Sequence, residues 1–425
     1  MPGIALGYGS GSLVLHPPVG LTVDLLVAME AAVQACCWLQ VACSLDRPLC
    51  GVTLSDLARA QRLAIVVSDK TRPVPYPAIL PPLLERLHGA GVSPSRLLFL
   101  VGTGAHGPMT AEEMRRMLPT QVGQDYTVIS HDAFDRQALR FVGTTSRGTP
   151  VWVNRHYLQC DARLVIGNVE PHQFAGWSGG AKGVVVGLGG ADTIATNHAL
   201  MCHPQAQLGH STGNPVWEDL AEAGRLIGID FAVNVVLDKH CQVAGAFAGS
   251  VREVHSRAIH LCQQMAQVEF QRPADIAVAS PGGYPKDINF YQSQKALGHA
   301  ARAVRDGGTV ILVAECREGL GDERFREWMA QASSPQGILA RFRQEGFHLG
   351  AHKAFLVARD LARLDVLLCS ALPSSEVDIL MMQRLPSLEA ALEKALARHG
   401  PQANLTVMPR AASIIPVAHR SHPAG

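Results

Sequence analysis

The sequence predicts an α/β protein made of two domains with mostly parallel sheets and an active site in the cleft between them. Three observations predict the class. Short apolar, β-branched runs recur between stretches of helical spacing, glycine clusters close several of those runs, and 425 residues exceed what one hydrophobic core usually holds. Leu63-Ala64-Ile65-Val66-Val67-Ser68 is apolar until its last position, as a strand covered on both faces must be. Pro77 to Leu87 has helical spacing. Leu97 to Val101 is the next strand, closed by Gly102-Thr103-Gly104. Thr110 and Glu113 form a capping box that starts a helix through Arg116. Leu164-Val165-Ile166-Gly167 is a further strand, and the densest run of glycines in the chain comes directly after it.

The alternation resumes after Pro273, so the expected domains are residues 1–272 and 273–425. Ile276 to Ala279 reads as a strand and Gln292 to Val304 as a helix. Gly307-Gly308 is a turn before the strand Thr309 to Val313. Val366 to Cys369 is a last short strand, and Ser387 to Arg398 a helix. The tail after Ile415, with Pro416 and Pro423, is expected to fray. There is no internal repeat.

Composition narrows the function classes. Hydrophobic residues make up 47% and charged residues 17%, as in an ordinary globular enzyme, and the formal net charge of +1 gives no footprint for nucleic acid or an anionic membrane. Ten cysteines are scattered with no C-x-x-C pair. That pattern argues against a disulfide framework or a cysteine zinc site and fits a cytoplasmic protein. The apolar stretch Leu21 to Cys43 is interrupted by Asp24, Glu30 and Gln34, and no Lys or Arg precedes Arg47. It is expected to be an amphipathic helix, neither a signal peptide nor a membrane span.

Four clusters fall at or near strand ends, where α/β enzymes place their chemistry. The first, Ser68-Asp69-Lys70-Thr71-Arg72-Pro73, is either a local ion pair capping the next helix or an anion-binding loop built on an Arg fork. The second, Gly102-Thr103-Gly104-Ala105-His106, projects one imidazole from a tight turn, and imidazole suits proton transfer near neutral pH. The third runs from Asn168 to Gly183. It places His172 ten residues before Lys182 in a glycine-dense loop beside Phe174 and Trp177. No G-K-[ST] triplet makes it a Walker loop, so Lys182 is either a phosphate ligand or a covalent anchor. Downstream, His198 and His203 are five apart and so do not share a helix face as a zinc pair would. The fourth is Gly282-Gly283-Tyr284-Pro285-Lys286-Asp287, followed by Tyr291-Gln292-Ser293-Gln294-Lys295, where Tyr291 and Lys295 share a helix face.

Taken together, and in this order over nearly the whole chain, the four clusters resemble the nickel-dependent lactate racemase family. The motifs that carry the resemblance are S-D-x-T-R-P, G-T-G-x-H, H-x-F-A-G-x-S-G-G-x-K and G-G-Y-P-K-D-I-N-x-Y-Q-x-x-K. The resemblance implies a racemase or epimerase of a small-molecule 2-hydroxy acid. It also implies nickel and the pyridinium-3,5-bisthiocarboxylic acid mononucleotide, the nickel-pincer nucleotide, loaded by cofactor-synthesis proteins. Position by position, Lys182 would hold that group through a thioamide and His198 would be the nickel ligand. Asp69, Lys70, Thr71 and Arg72 would contact the cofactor, His106 and His172 would be the acid/base pair, and Gln292 and Lys295 would bind substrate.

The implied chemistry accounts for two histidines. The carbinol hydrogen leaves as hydride once a base takes the hydroxyl proton, giving a planar 2-keto acid. Return to the opposite face inverts the centre, and mirror-image substrates need a base on each side. Two departures stand out: Gly107 where the family commonly has Arg, and Val186-Gly187 where it often has Pro-Gly. Phe355 is expected as a bulky aromatic over the site. Competing readings are an epimerase of a larger sugar-type acid and a carrier of the nickel cofactor without turnover. A carrier needs neither His106 nor His172. A nicotinamide dehydrogenase ranks low, because no G-x-G-x-x-G comes after the first strand.

Overall fold

The structure is a computed structural model that describes residues 3–28 and 37–419. Two compact units form, one from Glu30–Met265 and the other from Met1–Met29 together with Ala266–Gly425. The expected later boundary, at 272/273, falls between residues 265 and 266, and the first 29 residues belong with the C-terminal segment rather than with residues 30–265. The reason is pairing. Val23–Leu25 adds as a parallel edge strand to Leu405–Met408, and Leu6 and Leu15 of the hairpin Ile4–Tyr8/Gly11–Leu15 enter the core of that unit.

In the unit of residues 30–265 one sheet runs in the order Val243–Gly249, Phe231–Leu237, Ala162–Asn168, Leu63–Ser68, Leu97–Gly102, Thr127–Ser130. Only Val243–Gly249 is antiparallel. Leu63 to Val67 are all buried, and Leu63, Ile65 and Val67 share one core with Ile79, Leu80, Leu83 and Leu87 of the helix Tyr76–Gly89. Each such side chain contributes about 1.5–3 kcal/mol on burial, enough to fix this strand at the centre. The chain starts there, moves out through two neighbours, then returns to the other side. Loops after Leu63–Ser68 and Ala162–Asn168 therefore leave in opposite directions, and the carboxyl ends of those two strands mark the topological switch point at which sheets of this order place their ligands.

The second unit carries an all-parallel sheet in the order Gln383–Arg384, Asp365–Cys369, Val304–Val313, Ala274–Ala279, Leu405–Met408, Val23–Leu25. Its corresponding switch point lies beyond Ala274–Ala279, and the N-terminal hairpin fills it. Ser280 Oγ donates to Gly7 O at 2.5 Å, and Gly9 N donates to Asp287 Oδ2 at 2.7 Å. A Cβ on Gly7 would stand 2.4 Å from the carbonyl carbon of Gly282. This switch point is closed by the unit's own backbone.

Several expected elements differ. Val304–Val313 is one long strand with Gly307 (φ 74°) as an irregularity inside it, so Gly307-Gly308 is no turn between elements, and the preceding helix is Phe290–Ala300. The stretch Leu21 to Cys43 is not one helix. Val23–Leu25 is a strand, a helix spans Cys37–Asp46, and residues 29–36 lie outside the described residues. Ile415–Ala418 does not fray but pairs with Gln267–Phe270, while residues 420–425 lie outside the description. Phe355 is buried against Phe342, ring centroids 4.7 Å apart, in the core of its own unit. Among the described residues no helix is long and apolar enough to cross a membrane.

Candidate active site

The Leu63–Ser68 strand delivers Asp69 to its carboxyl end, and the neighbouring Leu97–Gly102 strand delivers the turn that carries His106. Asp69 does not pair with Arg72 on its own loop. Its Oδ2 meets His106 Nδ1 at 2.7 Å, and its Oδ1 accepts from the Thr71 amide at 3.1 Å and the Thr71 hydroxyl at 2.6 Å. Burial raises the carboxyl pKa, but the hydrogen bonds from His106 and Thr71 outweigh it and hold it below the usual range. A carboxylate on Nδ1 places a proton there and leaves Nε2 for chemistry. The His106 side chain is 49% exposed, so Nε2 is within reach of a ligand.

Arg72 turns instead to Glu170, with Nη1 3.4 Å from Oε1. Lys70 is held by Glu113, in the capping box of the next helix. Glu170 lies just past the Ala162–Asn168 strand, and its backbone is tied to Ser178 by two bonds of 2.9 Å, one to Oγ and one from the Ser178 amide. His172 lies in a two-residue ladder with Gly176-Trp177, and its Nδ1 accepts from the Ala175 amide at 3.2 Å. The Nε2 of neutral His172 thus carries the proton. Phe174 stands between two imidazoles, edge-on to His172 (4.6 Å) and to His198 (5.1 Å).

Lys182 opens the short helix Lys182–Val185, and the glycines before it explain its placement. Gly180 has φ 53°, its amide donates to Asn234 Oδ1 at 3.0 Å, and a Cβ on it would stand 2.4 Å from His255 Nδ1. His255, pushed down to about 4 by burial, donates from Nε2 to Ser178 O at 2.8 Å. Asn234 and His255 therefore clamp the loop from two elements. Gly104 N donates to Gly187 O at 3.0 Å, which ties the His106 turn to the segment after Lys182. The Lys182 side chain is partly exposed yet ringed by protein, and burial, with Arg72 nearby, brings its pKa down to about 7 against the opposing pull of Glu170. Gly180→Ala is expected to destabilise the chain by about 1–3 kcal/mol, from the left-handed backbone and the His255 contact, read as a fall in thermal midpoint. An unchanged midpoint contradicts the clamp.

His198, in the last turn of Ala191–Ala199, is buried. Burial first, then the Lys182 and Arg72 cations, push its pKa down to about 3, so the ring is neutral. His203 is exposed, with Nδ1 accepting from the Gln205 amide. In the other unit, Gln292 and Lys295 lie on Phe290–Ala300, with Lys295 Nζ donating to Gln292 Oε1 at 2.9 Å. Among the described residues, no group of three or more His, Cys, Asp or Glu side chains could hold a metal by itself. A metal here needs donors from elsewhere.

Asp69, Arg72, His106, His172, Lys182 and His198 thus belong to one unit, drawn from three adjacent strand ends, the segments after them and, for His198, the helix Ala191–Ala199. Sequence reasoning missed Glu170, Phe174, Asn234 and His255 as parts of this site. Glu170 and Phe174 had a signal, their place inside the glycine-dense cluster from Asn168 to Gly183.

The sequence model of the lactate racemase N-terminal domain matches residues 8–209, and that of the C-terminal domain matches residues 269–416. The chain belongs to the lactate racemase family. Family membership makes it an enzyme of the isomerase class. The lactate racemase of Lactiplantibacillus plantarum is 33% identical over 386 residues, 88% of this chain and 89% of that one. The lactate racemase of Thermoanaerobacterium thermosaccharolyticum is 32% identical over 306 residues, 71% of each chain. The structure of the lactate racemase apoprotein from T. thermosaccharolyticum superposes with a TM-score of 0.89 at 27% identity, over 98% of this chain and 100% of that one. A Thermotoga maritima protein shares the fold at a TM-score of 0.66 and 18% identity, over 93% of this chain and 100% of that one.

Proposed function

We propose that this lactate racemase family member inverts the carbinol centre of a short 2-hydroxy acid, lactate first among them. In this reading His106 and His172 exchange the hydroxyl proton, and a nickel-pincer nucleotide is held by Lys182 and His198. The observation that carries the reading is the opposite engagement of the two imidazoles. His106 gives Nδ1 to a carboxylate and keeps Nε2 as a base, whereas His172 accepts at Nδ1 and presents Nε2–H as a donor. Inversion needs one group to take the hydroxyl proton and another to return one.

The donor set fits the cofactor. A lysine amine near pKa 7 is nucleophilic at neutral pH, as a thioamide link requires, and a neutral buried imidazole is what a borderline metal takes. Thr71 and Arg72 line the loop at the switch point, where mononucleotides bind in sheets of this order. Asp69 acts through His106. When bound, the group supplies a two-electron acceptor for the carbinol hydrogen. Lys295 supplies a cation for the substrate carboxylate, and Gln292 orients that cation. Cofactor-synthesis proteins are needed for loading, and a cytoplasmic location suits them.

Protein made alongside those proteins is expected to carry about one nickel per chain, measured by elemental analysis. His198→Ala is expected to lose the nickel and keep its circular dichroism. Full nickel content with full activity in that variant would sink the assignment.

A further inference from the structure

His198 does not meet the rest of the fold by packing alone. Its Nδ1 lies 3.0 Å from Asn197 Oδ1, and Asn197 is itself buried and held. The Asn197 amide donates from Nδ2 to Asp219 Oδ2 at 2.8 Å and to the Val216 carbonyl at 3.2 Å. Both amide protons are therefore spent on acceptors. Flipping the amide would set its oxygen against a carboxylate and a carbonyl, two acceptor–acceptor contacts in a buried site, each at the cost of an unmade hydrogen bond. Oδ1 must face His198, and an oxygen there can only accept.

Asp219 is anchored in turn. It is buried on the helix Pro215–Ile227, and it accepts from the Thr145 hydroxyl on Oδ1 and from the Thr149 hydroxyl on Oδ2 at 2.8 Å. Thr145 and Thr149 flank the turn that joins Leu139–Thr144 to Pro150–Asn154. A hairpin, one helix and the end of another thus converge on a single imidazole. Nothing in the acid/base chemistry of His106 and His172 uses this chain of bonds.

We propose that Asp219 and Asn197 are positioning residues that lock His198 as the Nδ1–H tautomer, so that Nε2 is the nitrogen offered to the metal. The proposal rests on the reading of His198 as the nickel ligand and adds what fixes that ligand's tautomer and orientation. A carboxylate acting through an amide on the distal ring nitrogen raises the basicity of the ligating one and restrains ring rotation. It also makes ligand geometry independent of loading, because every bond in the relay lies within the protein.

The test reads the tautomer directly. In the full-length chain before loading, long-range nitrogen–proton correlation spectra with 15N-labelled histidine report which ring nitrogen carries the proton. The His198 ring, assigned by its loss in His198→Ala, is expected as Nδ1–H. Asn197→Ala leaves Thr145, Thr149 and Asp219 paired, and Asp219→Asn removes the carboxylate. In each, the Nδ1–H signal is expected to give way to Nε2–H or a mixture. In protein produced with cofactor-synthesis proteins, nickel retained after dialysis against chelator is expected to fall by about 10–100-fold in affinity for the same variants. An Nε2–H ring in the wild-type chain would overturn the relay while leaving His198 available as a ligand. An unmoved tautomer in folded Asn197→Ala would overturn it too. Nickel fully retained by His198→Ala would instead overturn the ligand reading and remove the relay's purpose.

Discussion

Racemisation falls by roughly a hundredfold or more when either His106 or His172 is replaced by Ala, the loss expected for a general acid/base. Chiral chromatography of the product measures it. The expectation starts from the two ring environments. His106 can take a proton at Nε2 because Asp69 sits on Nδ1 at 2.7 Å and stabilises the cation that forms. His172 can give one from Nε2 because the Ala175 amide occupies Nδ1. In the proposed scheme one direction of inversion uses them in one order and the reverse direction in the other, so each full turnover would need both. The double variant should then be little slower than either single one, since the residues act as a unit. Nickel and covalent cofactor should remain, because neither residue is assigned to hold them. A variant that keeps one enantiomer's conversion at the wild-type rate contradicts this scheme.

Lys182→Ala abolishes the covalent mass increase expected on the peptide containing residue 182 of loaded protein, and intact-peptide mass spectrometry decides it. The physical ground is the depressed amine. A lysine near the ordinary value of about 10.4 is neutral in only one molecule in a few thousand at pH 7, whereas one near 7 is neutral in about half. Because the pKa is lowered, the reactive form grows as pH rises through 7, far below the range of surface lysines. Before loading, Lys182 should therefore acquire an amine-directed label with a midpoint near pH 7. A midpoint near that of surface lysines, or loaded active protein with unmodified Lys182, contradicts the anchor.

Much of this architecture is written locally. Leu63 to Val67 could only be a strand covered on both sides, and the motif from His172 to Lys182 has so many small residues that a close backbone fold had to form there. What is not written locally is pairing across distance. Val23–Leu25 takes its place from Leu405–Met408 near the other end of the chain, so the opening residues read as part of the domain next to them in sequence. Asp69 looked like a partner for Arg72 three positions on. Its partner is His106, 37 residues away, because adjacent parallel strands end side by side. Asn234 and His255 carry no motif at all, since a buried amide and a buried imidazole gain their role only from the glycine loop that lands on them. The contact of Phe355 with Phe342 inside its own unit likewise has no local signal in the sequence.

The most direct test tracks the carbinol hydrogen. Loaded protein is given one enantiomer of lactate deuterated at the carbinol carbon, in ordinary water, and the opposite enantiomer is analysed by mass spectrometry after partial conversion. The product is expected to keep most of its deuterium, as it must if that hydrogen travels as hydride while His106 and His172 handle only the hydroxyl proton. Product that has lost its deuterium to solvent at the rate of inversion would mean a carbanion reprotonated from water, and would contradict the hydride route.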